Sequence, residues 1–132
     1  MHKHIDSFTP YALGLLRIVT GYMMIFYGLD KVFGTFSGKA VPLTSLIGVG
    51  GIIELVFGFL VLIGLATRLV AFILSGQMAV AYFMFHGLAG NVFLPYVNKG
   101  ELAALYAFVF FLFVFTGSGA LGVDNFIAKK KD

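Results

Sequence analysis

The chain has 132 residues, of which 60% are hydrophobic and only 11% are charged. A soluble domain carries roughly 25% charged residues, so this composition excludes a water-soluble monomer, and the apolar content excludes a disordered chain. The absence of cysteine excludes thiolate metal ligation and a thiol nucleophile, and the basic run at residues 129–131 follows apolar sequence, which is typical of a membrane-side tail and not of a nucleic-acid-binding protein.

Four apolar segments follow one another along the chain and predict spans at about residues 11–33, 46–65, 68–86 and 101–117. These lengths match the roughly 20 residues that a helix needs to cross a bilayer, and no segment alternates in polarity as a membrane strand does. We therefore predict one all-α domain over residues 1–132, an integral membrane four-helix bundle. The first segment is too long for a signal peptide and carries Arg17, so we expect it to be retained.

Four spans place both termini on one side of the membrane. That side carries five basic residues, and the opposite side carries three: Lys3, Arg68 and residues 129–131 against Lys31, Lys39 and Lys99. The positive-inside rule then predicts cytoplasmic termini in a bacterial-type inner membrane. The loops at residues 34–45 and 87–100 fall on the other side, where they can cover the bundle.

Two charged residues, Arg17 and Glu54, lie inside predicted spans. On helical wheels each shares its face with glycines, which allow close helix packing. An unpaired charge at mid-span costs about 2.5–3.5 kcal/mol on insertion scales, so we expect the two side chains to pair. Such a pair either fixes helix register only, or binds a polar ligand or moves protons.

The third span divides into two polar faces. One stripe carries Ser75, Tyr82 and His86 and is predicted to face inward, which leaves Gln77 facing outward. An outward amide in hydrocarbon lacks partners, so we expect self-association, or binding of a redox partner subunit, through Gln77. The alternative is an inverted stripe, with Gln77 in the core beside Glu54.

Polar residues also cluster near the long loops. Together with the residues inside the spans they give seven candidate binding residues: Arg17, Lys31, Glu54, Tyr82, His86, Asn98 and Glu101. For His86 and Glu101 a structural role at a helix end explains the residue equally well. No residue is assigned as catalytic and no metal site is predicted. His2 and His4 lie at the opposite side from His86, which argues against a bis-histidine haem.

The order of these elements resembles the DoxX family of small four-helix membrane proteins, from about Tyr11 to Asp124. The resemblance rests on Arg17 followed by residues 28–31 (GLDK), on residues 51–54 (GIIE) with Gly58, on residues 64–68 (GLATR), on residues 100–101 (GE) and on residues 116–124 (TGSGALGVD). The family often has Gly-Pro-Gly where this chain has residues 117–119. The resemblance implies a component of a membrane oxidoreductase, and some relatives are linked to thiosulfate:quinone oxidoreduction or to complexes that manage oxidative stress.

Three functions remain open at this point. The chain is an accessory subunit that offers a lipophilic site, for a quinone, to a redox partner; or it is a non-catalytic scaffold with a structural Arg17–Glu54 pair; or it is a small transporter or proton path. We expect no covalent cofactor and no catalysis by this chain alone, at most a role as an oxidoreductase subunit. A cavity lined by the candidate residues favours ligand binding, and direct, fully paired contacts among them favour the scaffold.

Overall fold

The computed structural model describes residues 2–88 and 90–131, except for the side chains of Lys130 and Lys131 in the predicted basic tail. Within that part the chain is helical and contains no strand. The helices are α1 (His2–Asp6), α2 (Thr9–Phe33), α3 (Leu46–Ile63), α4 (Thr67–Ala81), which continues as a π-helical turn (Tyr82–Gly87), α5 (Pro95–Asn98), α6 (Glu101–Thr116) and α7 (Val123–Lys131).

Three of the helical segments are long and apolar enough to cross a membrane: His2–Phe33, Leu46–Ile63 and Thr67–Gly87. Helix α6 is apolar but shorter, with 16 residues. The prediction of an all-α membrane protein is confirmed, and the bounds of α2, α3, α4 with its π-helical turn, and α6 lie close to the predicted segments.

The helices pack as two antiparallel pairs, α2 with α3 and α4 with α6. In the first pair the backbones approach closely, because a Cβ atom at Gly21 would lie 2.6 Å from the Leu62 nitrogen and one at Gly28 would lie 2.5 Å from the Leu55 nitrogen. Small residues at such positions are how membrane helices gain contact area without a hydrophobic driving force. The two pairs meet around a core that includes Met24, Val61, Leu74, Phe110 and Phe113.

One end of the bundle, here called the terminal side, gathers α1, the turn between α3 and α4, and the segment after α6. The fully buried Arg17 holds this end together. Its guanidinium donates from Nη1 to the carbonyls of Ser118 (2.6 Å) and Ala120 (3.2 Å), and from Nη2 to that of Leu121 (3.2 Å). The charge is therefore satisfied by carbonyls that lie beyond the end of α6.

A carboxylate fixes the same segment to the turn between α3 and α4. Asp124 accepts hydrogen bonds from the backbone N–H groups of Ala66 (2.8 Å) and Thr67 (2.9 Å), and its own N–H donates to the Gly64 carbonyl (2.9 Å). Acceptors placed on the free N–H groups of a helix start stabilise the helix. Hydrogen bonds thus join residues 64–68 to residues 116–124, two of the segments that carry the family resemblance.

The predicted pairing of Arg17 with Glu54 is wrong. The two residues do face the α2–α3 interface, as the helical wheel indicated, but Arg17 extends toward the terminal side and Glu54 lies nearer the opposite end, where Lys31 contacts it. A wheel gives the face of a helix and carries no information on which way a long side chain extends along the axis. The loop carbonyls of residues 118–121 were not foreseeable as acceptors from apolar periodicity.

Replacing Arg17 by leucine is expected to destabilise the fold strongly, because three carbonyls would lose a charged donor. Hydrogen bonds to charged groups contribute about 1.5–3 kcal/mol each, so the loss should be at least about 2 kcal/mol. Thermal unfolding followed by circular dichroism in detergent measures it. Leu15→Ala, at an exposed position two residues away, is the control. Equal unfolding temperatures for the two variants would contradict the role given to Arg17.

Candidate functional site

The opposite end of the bundle, here called the loop side, contains a cavity of ≈ 580 Å³ between α2, α3, α4 and α6. Its volume lies within the range of roughly 300–1,000 Å³ that is typical of small-molecule sites. Most of its wall is apolar or aromatic and includes Met24, Ile53, Met78, Phe85 and Leu102. The cavity is therefore suited to a largely apolar molecule.

A polar cluster forms the inner wall of this cavity. Glu54 is 3% exposed, and its Oε1 accepts from Lys31 Nζ at 2.8 Å and from Gln77 Nε2 at 3.4 Å. Gln77 Nε2 also donates to the Gly50 carbonyl at 3.1 Å. The carboxylate is thus paired with a cation and an amide, which is what makes its burial tolerable.

Three polar atoms of the cavity wall are buried without a hydrogen-bond partner in the described part of the chain: Glu54 Oε2, Gln77 Oε1 and the Tyr106 hydroxyl. Buried polar groups in proteins are paired in the large majority of cases. Two further atoms of this kind in the described residues, Arg17 Nε and the Thr67 hydroxyl, lie on the terminal side, so three of the five belong to residues that line this cavity.

Most of the exposed apolar residues of the cavity lining lie on α3 and on α4 with its π-helical turn, and we take the mouth of the cavity to lie between these two helices. Exposed apolar side chains form this mouth, among them Leu46, Val49, Val80 and Met84. An apolar rim on a membrane helix faces lipid. Such a rim would allow a molecule dissolved in the bilayer to reach the polar inner wall without passing through water.

A short network holds the loop at residues 90–98 against the π-helical turn. Tyr82 is buried, donates its hydroxyl to the Val92 carbonyl (2.6 Å) and accepts from Asn98 Nδ2 (3.0 Å). His86 Nδ1 lies 3.2 Å from the Asn98 carbonyl oxygen. π-Helical turns often occur at functional sites. Here the turn anchors the loop that borders the cavity.

The candidate residues from the sequence fall into three groups. Lys31, Glu54 and His86 line the cavity. Tyr82 and Asn98 hold the adjoining loop in place. The remaining two, Arg17 and Glu101, lie away from the cavity lining: Arg17 is bound on the terminal side, and Glu101 is exposed in the first turn of α6.

The outward placement of Gln77 is wrong, and the alternative that put it beside Glu54 is correct. Helix α4 is covered on two faces: Ser75 donates to the Ala107 carbonyl of α6 (2.7 Å), and Gln77 points to α3. At 100° per residue Gln77 and His86 should lie on opposite faces, yet both line the cavity, because the intervening π-helical turn changes the register. Self-association through α4 stays a prediction, but an outward-facing Gln77 no longer supports it.

Sequence reasoning missed Tyr27 and Tyr106 as wall residues. Their rings pack edge to face, with centroids 6.3 Å apart. For Tyr106 a signal was present, because it shares its buried helix face with Phe110 and Phe113, at helical spacing, while carrying a hydroxyl into that apolar set.

Breaking the Lys31–Glu54 pair from one side is expected to cost more stability than removing both members. Lys31→Met should lower the free energy of unfolding by roughly 1–3 kcal/mol, less than for a fully buried pair because the lysine side chain is 31% exposed. The double variant with Glu54→Met should recover part of that loss, as measured by unfolding in detergent. Lys99→Met, at the same cavity, is the control; a double variant less stable than Lys31→Met would contradict the pairing.

Comparisons with known proteins agree with the motifs. The family model described as DoxX matches residues 12–87. An "Uncharacterized protein" of Haemophilus influenzae is 42% identical over 133 residues, which cover 97% of this chain and 99% of that relative. The "Putative oxidoreductase CatD" of Bacillus subtilis is 30% identical over 122 residues, covering 89% and 87% respectively. No solved structure matches the chain. The chain belongs to the DoxX family of membrane proteins.

Proposed function

We propose that the chain is an accessory subunit of a membrane redox complex and binds a quinone-class ligand in the loop-side cavity. One observation carries this proposal: a lipid-facing, mostly apolar cavity ends in three buried polar atoms that lack partners within the described residues. A quinone has the same division, with a polar ring and an apolar tail. The ring fits against Glu54, Gln77 and Tyr106, and the tail extends through the mouth between α3 and α4.

The redox setting is supported by the name of the Bacillus subtilis relative, which is that of an oxidoreductase. This chain has no cysteine, so any electron carrier held by thiolates would belong to a partner protein. The chain would then supply the membrane site for the lipophilic substrate, and the partner would supply the electron carrier.

The two alternatives are less well supported. A purely structural role accounts for Arg17 and Asp124 on the terminal side, but it leaves the unpartnered atoms of the cavity without an explanation. A transport path requires a route across the bundle. The lining residues of the cavity extend inward only to the level of Met24, Glu54, Gln77 and Tyr106, so the cavity is a pocket that opens on one half of the bundle.

The chain is also proposed to cross the membrane four times, with both termini in the cytoplasm of a bacterial-type cell. Helix α6 supports the fourth crossing, because it begins beside the Tyr82 ring at the end of α4 and ends beside Arg68 at the start of α4. Arg68 donates to the carbonyls of Val114 and Phe115 there. The two helices therefore cover the same depth, and the basic residues favour a cytoplasmic terminal side.

Single-cysteine labelling tests this topology, and the absence of native cysteine gives it a clean background. Lys39→Cys, in the exposed loop after α2, should react with an impermeant thiol reagent added to intact cells, and Lys129→Cys in α7 should react only after the cells are opened. The reverse pattern would invert the orientation. Labelling of both positions in intact cells would contradict an even number of crossings.

Filling the cavity should abolish ligand binding without unfolding the chain. Ala81→Phe and Ala103→Phe each place a ring in the cavity wall, so we expect at least a tenfold loss of decylubiquinone affinity. Calorimetry on protein in lipid nanodiscs measures the affinity, and native mass spectrometry of gently purified protein identifies any ligand that co-purifies. Val56→Phe, at an exposed position outside the cavity lining, is the matched control.

Two results would contradict the proposal. If decylubiquinone binds the two cavity-filling variants as well as it binds the wild type and Val56→Phe, the ligand lies elsewhere. If only phospholipid co-purifies and no quinone binds, the cavity is an acyl-chain site.

A further inference from the structure

The free hydrogen-bonding positions on the inner wall are mainly acceptors. Gln77 Nε2 donates to the Gly50 carbonyl, which can only accept, so the orientation of the amide is fixed and its Oε1 is left without a partner. Both Lys31 and Gln77 donate to Oε1 of Glu54, as expected for an ionised carboxylate, and its Oε2 is left free. Neither free oxygen can donate while Glu54 is ionised, the state that its 2.8 Å contact with Lys31 Nζ stabilises.

His86 is a further residue of the cavity lining with a ring nitrogen that can accept. Its Nδ1 faces the carbonyl oxygen of Asn98, so this nitrogen carries the proton. In the neutral imidazole Nε2 then has a lone pair and no hydrogen. The lining also carries donors: the Tyr27 and Tyr106 hydroxyls, which accept as well, the N–H groups of Lys31 that Glu54 does not use, and the ammonium group of Lys99. None of these donors pairs with Glu54 Oε2 or Gln77 Oε1.

The unpaired acceptors of the cavity lining suit the two redox forms of a quinone-class ligand unequally. A quinone presents only carbonyl oxygens, which would leave Glu54 Oε2 and Gln77 Oε1 buried and unpaired. A quinol presents two hydroxyl groups, which donate to such oxygens and still accept from Tyr106 or Lys31. Leaving a buried acceptor unpaired costs more than an ordinary hydrogen bond returns, so the difference between the two forms is large.

We infer that the cavity selects the reduced, hydroxyl-bearing form of its ligand, a quinol, over the corresponding quinone. This inference rests on the proposed function, since it specifies which form of the ligand the same site holds. It carries a thermodynamic consequence: tighter binding of the reduced form raises the reduction potential of the bound couple. A tenfold preference corresponds to about 30 mV for a two-electron couple.

The first test needs no variant. Affinities of decylubiquinol and decylubiquinone are measured anaerobically by calorimetry on wild-type protein in nanodiscs. We expect the quinol to bind roughly tenfold more tightly or better. A redox titration of the bound couple should then show a midpoint potential above that of the couple in empty nanodiscs.

Two substitutions test whether Glu54 and Gln77 cause the preference for the quinol. In Glu54→Gln the side-chain oxygen remains with Lys31 and an amide N–H₂ replaces Oε2, so an acceptor becomes a donor without a change of shape. Quinol affinity should fall, quinone affinity should rise, and the preference should disappear or reverse.

Gln77→Leu removes the second acceptor and should weaken quinol binding while leaving quinone binding nearly unchanged. Ser75→Ala removes a hydroxyl that donates to α6 outside the cavity lining, and should keep the wild-type ratio.

Each outcome decides a different question. Equal affinities in the wild type, or tighter binding of the quinone, overturn the selection of the reduced form and leave the proposed function standing. Failure of both ligands to bind folded wild-type protein overturns the proposed function as well. A quinol preference that survives both substitutions in folded variants overturns the assignment to Glu54 and Gln77.

Discussion

A polar group in a hydrocarbon environment must find its partner within the protein, and this constraint organises both ends of the bundle. On the terminal side Arg17, through both terminal nitrogens of its guanidinium, and Asp124 use backbone groups near the ends of helices, and Arg17 Nε is left without a partner. On the loop side it is met in part. Lys31, Gln77 and Glu54 pair with one another, yet one oxygen of Glu54 and one of Gln77 remain free beside a cavity. The terminal side therefore joins helix ends to one another, and the loop side, where the free oxygens belong to residues that line the cavity, is the candidate binding site.

The two helix pairs explain why the cavity lies where it does. Helices α2 and α3 are joined by glycines with backbones in contact, so no space is left between them. Helices α4 and α6 pack through larger side chains such as Phe110 and Phe113. The seam between the pairs is closed on the terminal side by the turn and by residues 117–124, whereas on the loop side Gln77 bridges α4 to Gly50 and Glu54 of α3 beside the cavity. Space for a ligand follows from this uneven packing.

Much of the architecture was predictable because apolar length and glycine punctuation depend on local sequence. The helix bounds, the α2–α3 interface and the presence of Lys31 and His86 at one end followed from such patterns, whereas Glu54 was predicted at mid-span beside Arg17 and instead contacts Lys31. The partner of Arg17 was not predictable, because it lies more than a hundred positions away in a segment without apolar periodicity. The role of Tyr106 was missed because its spacing with Phe110 and Phe113 is hard to distinguish in an aromatic-rich helix that is apolar on every face. The placement of Gln77 failed because the wheel prediction assumed that only one face of α4 is covered, whereas Ser75 contacts α6 and Gln77 contacts α3.

The π-helical turn at Tyr82–Gly87 has a consequence for how this chain tolerates change in length. Its Leu88 N–H bonds to the Phe83 carbonyl, five residues back, so the turn holds one residue more than an α-helical turn would. Deleting a single residue here would let the helix close into regular α-geometry. Eight residues at about 100° each would then separate Gln77 from His86, an offset of about 80°, so His86 would stay near the face that Gln77 occupies. The turn is therefore the part of α4 where a one-residue deletion should be tolerated best, because the histidine and the loop keep their alignment with the cavity.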